Sequence, residues 1–208
     1  MVLVFIIRFV GYCIIYTVLN KMVTKNLLER QVIECIWTII PALVLVQIAI
    51  PSLLLLYILD ESIDARLSLK IIAHQWYWRY EYSDFWSLPI ESTIGYDSYI
   101  IPSNEINSDI FRLLDADRRI IIPFNTRIRL LISSTDVIHA WTVPVFGAKV
   151  DAVPGRINIT QLIAQRPGLF YGQCSEICGA NHRFIPIVIE VVSPKNFLNW
   201  VISRIEHW

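Results

Sequence analysis

Between Cys174 and His182 the chain reads "CSEICGANH": two thiols four positions apart, a carboxylate (Glu176) between them, and an imidazole four positions after Cys178. A second imidazole, His139, precedes Cys174 by 35 positions, in the stretch "DVIHAWTVP". These side chains can serve as nucleophiles, acids or metal ligands, and their spacing narrows the choice. A disulfide across four residues closes a very small loop, so it gains little chain entropy and risks strain. No nucleophile triad, phosphate loop or nucleotide fingerprint accompanies them. A Cys-x3-Cys-x3-His loop joined by a histidine from another segment suits a metal, with two soft sulfur ligands and two borderline nitrogens.

The rest of the chain must position that loop. Of 208 residues 55% are hydrophobic, and the mean hydropathy is +0.51, too apolar for an ordinary soluble domain. Net charge is zero but unevenly placed. Residues 1–59 carry Arg8, Lys21, Lys25 and Arg30 against Glu29 and Glu34, which is +2; residues 60–208 hold the other 14 basic and 16 acidic side chains, which is −2. Residues 2–19 are apolar except for Arg8 and just long enough to span a bilayer. Residues 32–59 form a second apolar run, roughly 40 Å of helix. A signal peptide is excluded for the first run, which has no basic leading region and no small-residue cleavage site. Residues 1–62 therefore read as a two-helix transmembrane hairpin embedded in the lipid bilayer. Lys21, Lys25 and Arg30 put its loop on the side of synthesis and both long ends in the opposite compartment. Pro41 and Pro51 should kink the second helix, which implies packing partners in the membrane. Cys13 and Cys35 lie in these spans, leaving Cys174 and Cys178 alone outside them.

From Leu67 onward the pattern changes to short β-rich runs: "LSLKIIAHQWYWRYEY", "RRIIIPF", "RIRLLISS", "HAWTVPVF", "RINITQLIA", "GLFYGQC" and "FIPIVIEVV". Regular turn residues between them favour a β-sandwich or barrel over residues 63–208, closed by an amphipathic helix in "PKNFLNWVISRIEHW". In such a domain the metal set stays open between two readings. Zinc suits two cysteines with two histidines. Against it, a strand histidine plus a late Cys/His loop is the arrangement of copper-binding β-sandwiches. The second thiolate would then let two coppers be bridged, with one histidine ending each side.

Four stretches carry a more specific signal: "HQWYWRYEYSDF", "DVIHAWTVP", "DAVPGR" and "RPGLFYGQCSEICGANH". Together they closely resemble the cytochrome c oxidase subunit II family as found in mitochondria, in register from the second span to the end of the β domain. The resemblance implies a membrane-anchored all-β protein: a two-helix anchor, a cupredoxin-like barrel and a short C-terminal helix. It also implies a dinuclear copper centre, CuA, with two coppers per chain. Cys174 and Cys178 would bridge the metals, His139 and His182 would cap them, and the Glu176 carbonyl would be a weak axial ligand. The Glu176 carboxylate would reach a Mg2+ shared with the catalytic subunit, a site of hard oxygen ligands. One position departs from the family: Ile185 stands where it has an axial methionine, and isoleucine has no lone pair. Ile100 also replaces a usual methionine, and the chain has only Met1 and Met22. A mitochondrial code that reads AUA as methionine would explain both.

The same resemblance gives roles to residues that composition alone leaves structural. "HQWYW" is expected to continue one strand, with Trp76 and Trp78 on one face and Tyr77 on the other. Trp76 would be the point where electrons enter from cytochrome c, whereas Trp141 would pack around the metal. Glu81, Asp84, Asp97, Asp115, Asp117 and Asp136 are candidates for an acidic surface that steers basic cytochrome c. Glu34 would sit at the mouth of a proton path into subunit I, although helix-start carboxylates are common for dipole reasons alone. The resemblance would make the chain the electron-transfer subunit of an oxidase in the mitochondrial inner membrane, its outer domain in the intermembrane space. Its partners would be subunit I and the other oxidase subunits, with no nucleic acid. The rivals are a copper-free quinol-oxidase subunit, which the intact Cys/Glu/Cys/His set disfavours, and a zinc-stabilised membrane-anchored binding module.

Overall fold

The computed structural model of the chain describes residues 1–22, 29–60, 65–85, 93–105 and 110–206. Lys25 of the connecting segment and the expected 62/63 boundary lie outside these residues. The chain divides into two units, Met1–Leu54 and Leu55–Trp208.

Two helices occupy the N-terminal region, α1 (Val2–Leu19) and α2 (Gln31–Asp60), within a residue of the expected spans. Both pass as membrane spans by length and composition, with mean hydropathies of 2.3 and 2.5. No side chain of α1 is buried, and residues 31–58 of α2 are exposed throughout, so their apolar surface faces lipid or other helices. α2 is assigned as one helix with Pro41 and Pro51 inside it.

The second unit holds ten strands among the described residues. They are β1 (Leu67–His74), β2 (Tyr77–Tyr82), β3 (Ile94–Ser98), β4 (Ile120–Pro123), β5 (Arg127–Ser134), β6 (His139–Val143), β7 (Ala148–Ala152), β8 (Asn158–Ile163), β9 (Gly168–Gln173) and β10 (Pro186–Val192). A five-stranded sheet runs β3-β2-β1-β5-β8, a three-stranded sheet β4-β10-β9, and β6 pairs with β7. Alternation drives the layering. Leu67, Leu69, Ile71 and Ala73 of β1 point inward with Trp78, Tyr80 and Tyr82 of β2 and Ile128, Leu130 and Ile132 of β5. Ile120, Ile122, Ile187, Ile189 and Val191 belong to the same buried core from the second sheet. Gly172 shows how tightly β9 and β6 meet: a Cβ there would lie 2.0 Å from the Thr142 carbonyl oxygen. α3 (Pro194–Glu206) begins with Pro194 after Ser193, whose Oγ accepts the Asn196 N–H at 3.2 Å as an N-cap. It packs Phe197, Trp200 and Val201 onto the core.

Two expectations change. "HQWYW" is not a continuous strand: His74 pairs with Tyr77, so Gln75 and Trp76 form a tight turn between β1 and β2, joined by a cis peptide. Trp76 therefore lies at the tip of a hairpin, while Trp78 is buried below it. β3 and β7 join the sheets without a clear run in the sequence.

Candidate metal centre

Four backbone anchors hold the Cys174–His182 loop at one end of the β domain. The Cys174 N–H donates to Ile185 O at 3.1 Å where β9 meets β10, and the Ser175 N–H donates to Ala140 O at 3.0 Å on β6. From the β1–β2 turn, Gln75 Nε2 donates to Cys178 O at 2.7 Å and Trp76 Nε1 donates to the same carbonyl at 3.3 Å. Gly179 makes that approach possible. Its φ is +122°, and a Cβ there would stand 3.1 Å from Gln75 Nε2 and 3.2 Å from Trp76 Cζ2.

Inside this frame the two sulfurs are 4.0 Å apart and both cysteines are free and buried, so they are not a disulfide. His139, at the start of β6 and 0% exposed, brings Nδ1 to 3.9 Å from Cys174 Sγ. His182, in a short 3-10 helix, brings Nδ1 to 3.4 Å from Cys178 Sγ. Each thiol thus has its own imidazole nitrogen. The ligand atoms of His139, Cys174 and Cys178 lie within 4.8 Å of one another, and this is the one such group among the described residues. The Glu176 carbonyl is 3.5 Å from Cys174 Sγ, while its carboxylate joins no such group.

Sequence reasoning missed one partner. Asp136, first taken as a surface acid, places Oδ1 2.8 Å from His139 Nε2. An ionised carboxylate only accepts, so Nε2 carries the proton and the Nδ1 lone pair is left facing the thiols. Oδ2 of the same residue accepts the Gln75 N–H at 2.6 Å, tying the Trp76 turn to the histidine. The readable signal was spacing: an acid three residues before the histidine, on the segment leading into β6.

The electrostatics favour a cation. At Cys174 burial opposes the thiolate, but hydrogen bonds with His139 and with backbone of Glu176 and Ala140 bring its pKa down to about 7. At Cys178 burial and then the neighbouring Cys174 charge push it up to about 12. One proton leaves the pair easily and the second is held, because two thiolates 4.0 Å apart repel. Burial lowers the His139 pKa, yet hydrogen bonds with Cys174 and Asp136 more than offset this and the net shift is upward. Burial raises that of Asp136, and the His139, Val137 and Gln75 hydrogen bonds overcome it, so it falls. A soft, positively charged metal would satisfy both sulfurs and both free imidazole nitrogens, and the donor set fits copper.

The other expected residues are scattered. Ile185 is 1% exposed and shares the core cluster with both cysteines. Asp115 is only 1% exposed and lies 3.7 Å from the Arg119 guanidinium, so it cannot meet a docked protein. Glu81 is held between Lys70 at 3.0 Å and Arg79 at 2.8 Å, and Asp97 pairs with Arg79 at 3.1 Å. Asp84 and Asp117 remain exposed, although Asp84 accepts the Ser68 N–H and Asp117 the Tyr99 N–H. Glu34 caps α2, with Oε1 accepting the Arg30 N–H at 3.2 Å.

Residues 67–192 match the family described as cytochrome c oxidase subunit II, periplasmic domain, and residues 1–55 match its transmembrane domain. Cytochrome c oxidase subunit 2 of Choristoneura rosaceana is 56% identical over 200 residues, covering 96% of this chain and 86% of that protein. The same subunit of Drosophila yakuba is 55% identical over 204 residues, 98% of this chain and 87% of that one. Among solved structures, the periplasmic domain of subunit II of cytochrome oxidase from Bradyrhizobium japonicum aligns with a TM-score of 0.61 at 39% identity, over 71% of this chain and 99% of that one. A second, a mixed disulfide between a thioredoxin-like protein and a cytochrome c oxidase subunit II, aligns at 0.58 and 39% identity, over 70% and 94%.

Proposed function

Because the chain belongs to the cytochrome c oxidase subunit II family, we propose that its Cys174, Cys178, His139 and His182 hold the dinuclear copper centre CuA. The protein is the membrane-anchored electron-transfer subunit of a haem-copper oxidase, and O2 reduction belongs to the partner subunit. One observation carries the copper reading: two unpaired thiols 4.0 Å apart, each with an imidazole Nδ1 beside it. Bound there, the coppers would supply a one-electron store between cytochrome c and haem a.

The chain's own residues prepare that site. Asp136 fixes the His139 tautomer, the buried cysteines and His139 exclude water, and the Glu176 carbonyl, 3.5 Å from Cys174 Sγ, would be a further weak oxygen ligand. The Trp76 indole hydrogen-bonds the Cys178 carbonyl, which supports Trp76 as the point where electrons enter. For docking cytochrome c, Asp84 and Asp117 are the exposed acids of the expected set that, among the described residues, neither pair with a cation nor serve His139, and Glu34 remains the candidate at the proton path. The Glu176 carboxylate would share a Mg2+ with subunit I. The chain would reside in the mitochondrial inner membrane, its outer domain in the intermembrane space, in keeping with its insect relatives and its basic connecting loop. A thioredoxin-like dithiol would keep Cys174 and Cys178 reduced before loading, in line with the relative captured as a mixed disulfide.

Metal analysis of the purified oxidase tests the centre: two coppers assignable to this chain support it, and zinc or no metal at the thiols refutes it. Ile185 is proposed to be methionine in the living protein. Peptide mass spectrometry that finds isoleucine at 185 would sink that idea.

A further inference from the structure

Away from the metal centre, β3, β10, α3 and the segment before β4 enclose a cavity of about 770 Å3. Its walls are mixed. Ile94, Ile121, Val192 and Trp200 give it an apolar floor, and Asn196 adds one amide. Five charged groups line it: Asp117, Arg118, Arg119, Glu190 and Arg204. Both acids are already engaged. Asp117 Oδ1 accepts the Tyr99 N–H at 2.7 Å, and Glu190 lies 3.6 Å from Arg119. Arg119 also faces Asp115 at 3.7 Å. Arg118 and Arg204 have no carboxylate partner among the described residues.

Two unpaired guanidinia therefore open onto one cavity from different elements, Arg118 ahead of β4 and Arg204 on the last turn of α3. They share the cavity wall with Tyr96, whose hydroxyl donates to Arg119 O at 2.8 Å. Burial raises the pKa of that phenol; a hydrogen bond with Tyr82, and after it the positive charges of Arg204 and Arg118, oppose the rise. Arginine is weakly hydrated and presents a planar fork that matches phosphate or carboxylate. Concave sites of this size, with apolar walls and a few convergent polar groups, are typical of small-molecule binding.

We propose that the cavity between β3, β10 and α3 binds an amphipathic organic phosphate, whose dianionic head sits between Arg118 and Arg204 while its flat apolar part lies against Trp200 and Ile121. The assignment is independent of the copper site, since none of these residues approaches Cys174 or His139.

The test is titration calorimetry of 1-naphthyl phosphate into the full chain in detergent micelles, with the heat of micelles alone subtracted. Saturable binding at one site per chain is expected. The double variant Arg118→Gln with Arg204→Gln should bind about tenfold more weakly or worse, since charge-assisted hydrogen bonds are lost. Both side chains are exposed, so thermal melting should show the variant folded. A control, Lys149→Gln with Arg156→Gln, removes equal charge elsewhere and should leave the affinity unchanged. 1-Naphthoate, with one charge fewer, should bind more weakly than the phosphate. The proposal is overturned by no saturable heat up to about 10 mM, an affinity of at most about 100 M−1. It is overturned equally by the same affinity in the cavity variant, an equal loss in the control, or naphthoate binding the tighter of the two.

Discussion

Asp136→Asn is the sharpest perturbation of the site, because it keeps the shape and removes only acceptor capacity and charge. The two carboxylate oxygens receive three N–H hydrogens. Oδ1 takes His139 Nε2–H at 2.8 Å and Val137 N–H at 2.6 Å; Oδ2 takes Gln75 N–H at 2.6 Å. Asparagine has one oxygen, so its NH2 must face a donor whichever way it turns. The milder choice leaves the oxygen on His139 and Val137 and sets NH2 against the Gln75 N–H. One hydrogen bond to a charged acceptor is then lost, and the His139 contact becomes neutral. A charged hydrogen bond is worth about 1.5–3 kcal/mol, so the metal-free outer domain should lose about 2–3 kcal/mol. For a domain of this size that lowers Tm by roughly 6–10 °C. Exchanging the charged acceptor behind His139 for a neutral amide should also weaken copper binding by about tenfold, the low end of the penalty for altering the partner of a metal-bound histidine. Scanning calorimetry and chelator competition measure the two effects. A copper affinity within about twofold of the parent, with an unchanged Tm, would refute the role assigned to Asp136 and return it to the docking surface, where only salt-dependent association with cytochrome c should change.

Other substitutions probe the frame and the charges. Gly172→Ala places a Cβ 2.0 Å from Thr142 O, so β6 and β9 must separate; a loss of more than about 3 kcal/mol is expected by urea unfolding, beyond ordinary overpacking. Glu81 lies between Lys70 and Arg79; burial raises its pKa, but the two cations lower it below the ordinary 4.5. Its contribution is complete above that value and lost as pH falls through the folded value. Glu81→Gln should therefore cost about 0.5–1 kcal/mol at pH 7 and nothing near pH 3; a penalty that grows in acid would contradict the sign. Copper loading must strip the proton that Cys178 holds up to about 12 as well as that of Cys174. Calorimetry at pH 7 in buffers of different ionisation enthalpy should find more than one proton released per chain, and affinity should rise with pH.

Much of this architecture was legible in the residues because its signals are local. The apolar runs 2–19 and 32–59 announced α1 and α2, and the period-two alternation of "LSLKIIAH" and "RIRLLISS" announced β1 and β5. β3 was harder: "IGYDS" carries a glycine and an aspartate, and it is a strand because Trp78↔Ser98 through Tyr82↔Ile94 pair along the sheet edge. β7, "AKVDA", likewise exists through its pairing with β6. The turn at Gln75–Trp76 was hidden because aromatic residues read as strand, whereas the ladder between His74 and Tyr77 decides otherwise. At the site, Cys174, Cys178 and His182 share one loop and could be grouped by spacing. His139, 35 positions before Cys174, was grouped with them on residue type and its place on a strand. The acids divided once burial was known: Asp115 is interior, Asp136 serves the histidine, and Glu81 is neutralised by its neighbours.

The central claim is that two sulfurs hold two metals as a single redox unit. Electron paramagnetic resonance of the copper-loaded chain, with copper counted on the same sample, tests it most directly. Two coppers per chain and a hyperfine pattern from one unpaired electron spread over both nuclei are predicted. A signal confined to one copper, or a loaded protein whose Cys174 and Cys178 are joined to each other, would contradict it.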